Sequence, residues 1–359
     1  MQVTPVTTPA AKELLPQDAK FMAQFIAMAP FVFQTAVCLR DFGILNLLCE
    51  NPAGLTSEDL LAKMNLSRYS LNVLLDAGES SGILLEKNKI WTITQTGMFL
   101  EKDAITRVNM NFSQDVCYQG LFNLKEALET NTPAGLKVFG NWSTVYEGLS
   151  SLPEKVQQSW FEFDHFFSSD SFPRALPIIF KDKPKKILDV GGNTGKFAVA
   201  CTKFDSDVNV TIADHPGQIA MAKANAANNQ VAERVHFHVT DLLQKDANLP
   251  QGHDTIWMSQ FLSCFSDDQV VMLLKKARQA LAEGGSLYIM ETFTDNQKFN
   301  AARFCLDMTS LYFTAIANGN SRMYRSEEFY KLIEKAELKI VEEHPFIRLN
   351  HTILKCVPA

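Results

Sequence analysis

Residues 187–197 read Ile187-Leu188-Asp189-Val190-Gly191-Gly192-Asn193-Thr194-Gly195-Lys196-Phe197, and this stretch decides the fold. A short apolar run, entered from the polar, proline-marked Lys183-Pro184-Lys185-Lys186, passes into a glycine turn and then a helical pattern. Glycine at a strand end permits a positive φ and lets a ligand approach the backbone closely. The spacing Asp189-x-Gly191-x-Asn193-x-Gly195 is not the G-x-G-x-x-G of a dinucleotide site. Nor does it carry the Lys-Ser or Lys-Thr ending of a phosphate loop.

Two further strands end on acidic residues. Val208-Asn209-Val210-Thr211-Ile212-Ala213-Asp214 is rich in β-branched residues and closes on Asp214. In a doubly wound sheet, a carboxylate about 20 residues past the glycine turn meets the ribose hydroxyls of a nucleoside. Val235-His236-Phe237-His238-Val239-Thr240-Asp241 closes on Asp241, which can accept from an adenine amine. With the glycine turn, these strands resemble the cofactor motifs of the class I methyltransferases that use S-adenosylmethionine (SAM). SAM is therefore the expected cofactor. Asp189, Gly191, Gly192, Asn193, Gly195, Asp214, His215, Asp241, Leu242 and Ser259 are the residues expected to hold it.

Composition allows this and excludes other classes. A chain of 359 residues, 46% hydrophobic, has room for two domains with sizeable cores. A net charge of −6 argues against a polyanionic partner. The seven cysteines contain no C-x-x-C pair, so neither a zinc site nor a disulfide framework is indicated, and a reducing cytoplasm fits best. No apolar run reaches the roughly 20 residues of a membrane span, and no secretory leader pattern opens the chain. No metal is expected, because Asp, Glu and His show no ligand spacing.

Four segments are expected: a loosely ordered stretch at 1–18, a winged-helix-like domain at 19–105, a helical connector at 106–180, and a SAM domain at 181–359. Apolar residues recur at helical spacing from Phe21 to Cys49, broken by Pro30 and Gly43. Thr56-Ser57-Glu58-Asp59 opens a capped helix, Arg68–Ser80 forms a second, and a hairpin turns around Lys87-Asn88-Lys89. Helix, turn, helix, hairpin is a winged-helix order and raises DNA binding as a rival function. Between Leu55 and Ile105, however, Lys63, Arg68, Lys87, Lys89 and Lys102 face Glu58, Asp59, Asp76, Glu79, Glu86, Glu101 and Asp103. A groove-reading helix needs a basic footprint, so no nucleic-acid partner is expected.

Beyond the connector, strands at 187–190, 208–214, 235–240, 255–260 and 286–292 alternate with helices, implying a largely parallel sheet. Ser266-Asp267-Asp268-Gln269 is a capping box, and its helix is expected to end at Gly284-Gly285. Two terminal strands, around Lys339 and Ile353, would add an antiparallel pair. The expected fold class is thus α/β, a Rossmann-like seven-stranded class I methyltransferase sheet with a mainly helical N-terminal domain.

Taken whole, residues 20–357 resemble the small-molecule O-methyltransferases of the caffeate, flavonoid and hydroxyindole type. That resemblance implies a winged-helix-like dimerisation domain, a homodimer and a small aromatic substrate. The family's Asp-Val-Gly-Gly-Gly-x-Gly is Asp-Val-Gly-Gly-Asn-Thr-Gly here, and Asn193 tolerates left-handed backbone better than most residues. The family's catalytic pattern is absent. Aligned from Asp254 to Asp268, Ser263 stands where the family's base histidine would be, Ser259 where a lysine commonly lies near the cofactor carboxylate, and Tyr324 near the family's glutamate.

Serine has no acceptor poised near pH 7 and cannot replace that histidine. Three explanations are open. His165, in the aromatic run Trp160–Phe166 of the connector, could be the base. Alternatively, positioning in a dry pocket could suffice without one. Or the acceptor could be a ring carbon activated by a neighbouring phenol, as in bacterial pigment (aryl-polyene type) relatives. Phe163, Phe166, Asp307, Met308 and Tyr324 are the expected substrate contacts, Asp307 and Tyr324 supplying polar groups. The substrate is expected free or carrier-tethered. The rival from another class is a SAM-binding regulator without transferase activity.

Overall fold

The computed structural model describes residues 14–359 apart from 245 and 349, and omits the side chains of 167–169. The first thirteen residues of the expected N-terminal stretch lie outside it. The chain divides into two compact units, with the boundary between Gln114 and Asp115. Residues 106–114 of the expected connector fall in the N-terminal unit of this division.

The N-terminal unit starts with helices Pro16–Ala27 and Ala29–Asp41, separated at Met28, so the break comes just before Pro30. Gly43, at φ +78°, starts helix Ile44–Glu50. Thr56 and Asp59 form a reciprocal capping box, and Ser67 Oγ caps helix Arg68–Ser80 by accepting from Ser70 N–H. Strands β1 (Leu84–Lys87) and β2 (Ile90–Ile93) pair antiparallel. Asn88 and Lys89 both have positive φ, the two-residue turn whose twist matches the strands it joins. Leu39, Leu45, Leu60, Leu71, Leu75 and Leu84 fill the core of this unit.

The C-terminal unit is built on seven strands: β3 (Lys186–Val190), β4 (Asn209–Asp214), β5 (Val235–Val239), β6 (His253–Ser259), β7 (Leu281–Thr292), β8 (Leu338–Ile347) and β9 (His351–Pro358). Their spatial order is β5-β4-β3-β6-β7-β9-β8. Pairing is parallel from β5 to β7 and antiparallel between β7 and β9 and between β9 and β8. The capping box at Ser266 forms, but helix Asp267–Ala280 ends four residues before Gly284. Leu281 already pairs with His253, and Gly284 at φ +75° lies in a register shift within β7. Pairing with the strand edge outcompetes a longer helix there.

Both sheet faces are covered. One core gathers Leu188, Val190, Ile256, Met258, Leu287 and Ile289 with helix Asp267–Ala280. The other gathers Ile187, Ile212, Trp257, Tyr288 and Met290 with helices Phe172–Ile179 and Lys196–Phe204. The chain runs from β3 outward through β4 to β5, then returns to the other side of β3 as β6. The crevice beyond the carboxyl ends of β3 and β6 is therefore the topological switch point, where open α/β sheets bind ligands.

Candidate active site

The glycine turn leaves β3 at this switch point. Gly191, Asn193 and Gly195 all have positive φ, at +72°, +49° and +74°. Asn193 thus adopts the left-handed backbone its side chain tolerates. A Cβ on Gly191 would lie 2.3 Å from the Phe261 ring, and one on Gly192 2.6 Å from Asp189 Oδ2. The turn leaves no room for side chains at these two positions. Asp214, at the end of β4, pins it from below: Oδ2 accepts from Asn193 N–H at 2.8 Å and Oδ1 from His215 N–H at 2.7 Å.

Three carboxyls, the buried Asp189 and the half-buried Asp214 and Asp164, crowd the turn. Burial, then the neighbouring Asp214, pushes Asp189 up to about 8. Burial also raises Asp214, against its two backbone donors. The third, Asp164, lies in helix Glu154–Ser168 of the connector, and burial pushes it up to about 6. Asn193 Nδ2 donates to Asp164 Oδ2 at 3.1 Å, and Thr194 Oγ1 meets His165 Nε2 at 3.3 Å. Helix and glycine turn are thereby joined through two consecutive residue pairs.

Four buried polar atoms at this edge lack a hydrogen-bond partner within the protein: Asp189 Oδ2, Asn193 Oδ1, Ser259 Oγ and Gln260 Oε1. Gln260 follows β6 with a φ of +48°, a strained conformation of the kind that clusters at ligand sites. A glycine cradle without Cβ space, buried carboxyls in excess, and unpaired acceptors fit a compact polar cation. SAM carries a sulfonium and an ammonium, so these residues fit it. Gly191 and Gly192 would accommodate its close approach, while Asp214 retains acceptor capacity for a diol.

The remaining expected cofactor residues are placed differently. Asp241 accepts from Leu243 N–H at 3.0 Å and Gln244 Nε2 at 2.9 Å, so its carboxylate caps its own turn. Leu242 is packed in the hydrophobic core. His215 begins helix Pro216–Asn228 and contributes its backbone N–H to Asp214.

Ser263 sits in the turn Leu262–Cys264 and is 5% exposed. Glu291, buried at the end of β7, holds this turn: its Oε1 accepts from the N–H groups of Phe261, Leu262 and Ser263 at 3.0, 2.9 and 3.4 Å. Burial pushes Glu291 up to about 7, against those donors and the Ser263 hydroxyl. Phe261 is thereby fixed against Gly191. The sequence reading missed Glu291, which looks like an ordinary strand residue.

His165 stacks on Phe161 with ring centroids 5.6 Å apart, and burial, then the nearby Lys196, lowers it to about 4. An imidazole held so low is a weak base. Asp164, one residue earlier, was also missed, because only the fold brings it to the glycine turn.

Next to Asp164 lies a buried set of hydroxyls and a thiol. Trp160 Nε1 donates to Tyr312 Oη at 2.7 Å. Tyr146 Oη is buried without a partner of hydrogen-bond geometry, beside the Cys264 thiol. Burial raises Tyr146, Tyr312 and Cys264, and the Asp164 charge adds to each rise.

Of the expected substrate contacts, Phe163 and Phe166 are half-buried on the connector helix, and the Arg348 guanidinium lies 5.4 Å above the Phe166 ring. The other three are placed as follows. Tyr324 is 2% exposed and spends its hydroxyl on Asp267 Oδ1 at 2.9 Å and the Phe265 carbonyl at 3.2 Å. Asp307 lies on the exposed face of helix Asn300–Tyr312, paired with Arg303 at 3.6 Å. Met308 is 44% exposed on the same face, because Leu306 and Tyr312 take the buried one.

Sheet order, glycine turn and carboxyl-lined switch point define a class I SAM-dependent methyltransferase. A Dimerisation2-like domain model matches residues 20–91 and an O-methyltransferase domain model residues 180–339, and the chain belongs to this family of two-domain SAM-dependent O-methyltransferases. It is 24% identical to an L-tyrosine C(3)-methyltransferase of Streptomyces lavendulae, over 91% of this chain and 88% of that one. The mitomycin 7-O-methyltransferase structure superposes with a TM-score of 0.74 at 16% identity, covering 96% of this chain and 98% of that one. An O-methyltransferase from neocarzinostatin biosynthesis, in complex with SAM and 2-hydroxy-5-methyl naphthoic acid, gives 0.65 at 18% identity, over 92% and 96%.

Proposed function

We propose that this methyltransferase transfers the methyl group of SAM to the hydroxyl oxygen of a small phenolic acceptor. The observation carrying this reading is the polar set Asp164, Tyr146, Tyr312 and Cys264, edged by Trp160 and Phe161 and joined to the glycine turn through Asn193. Aromatic walls with a few convergent polar groups suit a planar ring bearing a hydroxyl. Bound SAM would supply the transferable methyl. The protein would hold the acceptor in line and keep water out.

A second reading is transfer to a ring carbon beside the hydroxyl. Two observations favour it: one relative aligned over 91% of the chain is a C(3)-methyltransferase, and Ser263 is withdrawn into the Glu291 clamp. Both readings start from a phenol.

The homodimer reading rests on the Dimerisation2-like match and on Phe21, Phe25, Ile26 and Phe31, which stand exposed on the first two helices. Among the described residues no single helix is long and apolar enough to cross a membrane. The reading of a cytoplasmic enzyme rests on seven free thiols.

The test is incubation with methyl-labelled SAM and a panel of phenols, free and carrier-bound, with products read by NMR. A methoxy signal supports the first reading and an aryl-methyl signal the second. Tight SAM binding with no turnover across the panel favours a non-catalytic regulator.

A further inference from the structure

We propose that Asp164 is the proton acceptor for the acceptor hydroxyl, with Asn193 fixing its carboxylate and Tyr146 hydrogen-bonding the same acceptor oxygen. This rests on the phenol reading above and replaces His165 as the base.

The geometry favours Asp164 on three counts. Its Oδ2 is tethered at 3.1 Å to Asn193 in the cofactor turn, so the carboxylate is held at the boundary between cofactor and acceptor. Its charge reaches Tyr146, Tyr312 and Cys264, the polar lining of the aromatic end of the site. Tyr146 Oη is buried with the Cys264 thiol as its only neighbouring partner among the described residues, so a ligand oxygen can take over its hydrogen bond. Of the two carboxyls whose charge reaches this lining, Glu291 spends Oε1 on three backbone N–H groups, and Asp164 is the one bonded to the cofactor turn. His165 is tied to Thr194 and stacked on Phe161, and its low proton affinity suits packing better than proton abstraction. A base works best with a proton affinity near the operating pH, and burial moves Asp164 toward that range.

The step balances as follows. The acceptor O–H bond breaks and its proton passes to an Asp164 oxygen. The electron pair left on the acceptor oxygen forms the new O–CH3 bond, while the methyl–sulfur bond breaks and leaves its pair on sulfur. The products are the methylated acceptor, S-adenosylhomocysteine and protonated Asp164, which returns its proton to solvent when the site opens.

The test compares wild type with Asp164→Asn and Asp164→Glu on the best acceptor of the panel. Asparagine keeps the shape and can still accept from Asn193. We expect its kcat at saturating SAM to fall about 100-fold or more, well beyond any loss of SAM affinity, with the acid limb of the pH profile lost. Glutamate should recover part of the rate. A second readout is independent of turnover: affinity for the phenol against that for its methyl ether, with S-adenosylhomocysteine present. Wild type should prefer the phenol about tenfold or more, as a hydrogen bond to a carboxylate predicts, and Asp164→Asn should lose that preference. Retention of more than a third of wild-type kcat by Asp164→Asn, or of the phenol preference, would overturn the proposal. Absence of wild-type turnover on every phenol would strike down the phenol reading itself, and the role of Asp164 with it.

Discussion

Asn193 and Asp164 are bonded side chain to side chain at 3.1 Å, across 29 positions of sequence, linking the cofactor turn to the connector helix. The same asparagine donates its backbone N–H to Asp214. One residue thus positions two of the three carboxyls at the turn.

Asn193→Gly, the residue the family usually has, should relieve the left-handed backbone at φ +49° but leave Asp164 without its amide donor. A hydrogen bond to a buried charged group outweighs the strain relief, so we expect a net loss of about 1 kcal/mol. Denaturant unfolding measures it. The acid limb of the rate profile should move to higher pH, because the lost donor favours the ionised form.

Stability and SAM binding should depend on pH in opposite directions. Asp164 and Asp189 have folded values of about 6 and about 8, raised above the ~3.9 of an unfolded aspartate. A carboxyl raised on folding costs nothing while both states are protonated. Its penalty grows above the unfolded value and levels off past the folded one. The ligand-free protein should therefore lose melting temperature from about pH 4 to pH 8. A cation at the turn favours the ionised carboxyls, so SAM should release protons on binding and raise Tm more at pH 8 than at pH 5. Calorimetry in two buffers of different ionisation enthalpy counts the protons; uptake instead of release would contradict this account.

Glu291→Ala removes the acceptor for three backbone N–H groups in a buried turn. The expected loss is about 3 kcal/mol. Glu291→Gln keeps a carbonyl oxygen in place and should stay within about 1 kcal/mol of wild type. Equal losses for the two variants would show that the carboxylate's charge, not its acceptor geometry, holds the turn.

Ser263→Ala should change kcat by less than threefold, since the side chain is buried in the Glu291 clamp. Ser263→His should not raise it, because the imidazole would have to displace a packed turn. A tenfold gain in the histidine variant would return that position to the chemistry.

What the sequence reveals here is what the chain does locally. The Asp189–Gly195 turn, the hairpin at Asn88-Lys89 and the Ser266 box each depend on neighbours a few positions away, and each formed. Asp164 and Glu291 escaped notice because their meaning comes from partners 29 and about 30 positions distant. Tyr324 shows the reverse: its place in an alignment suggested a ligand contact, while the hydrogen bond of its hydroxyl to Asp267 comes only with the fold. On helix Asn300–Tyr312, the 3.6-residue period located a stripe but not which side would be covered, and Met308 fell on the open one.

The contact between Asn193 and Asp164 also bears on how such enzymes can be recombined. Grafting a connector from a relative with glycine at position 193 would bring in a helix that never needed an amide partner. Grafting this connector into that relative would strand a buried acid. Chimeras that exchange the two positions together should keep stability and pH profile, whereas those that split them should lose about 1 kcal/mol and shift their acid limb, so the unit of inheritance for acceptor preference includes one residue of the cofactor loop.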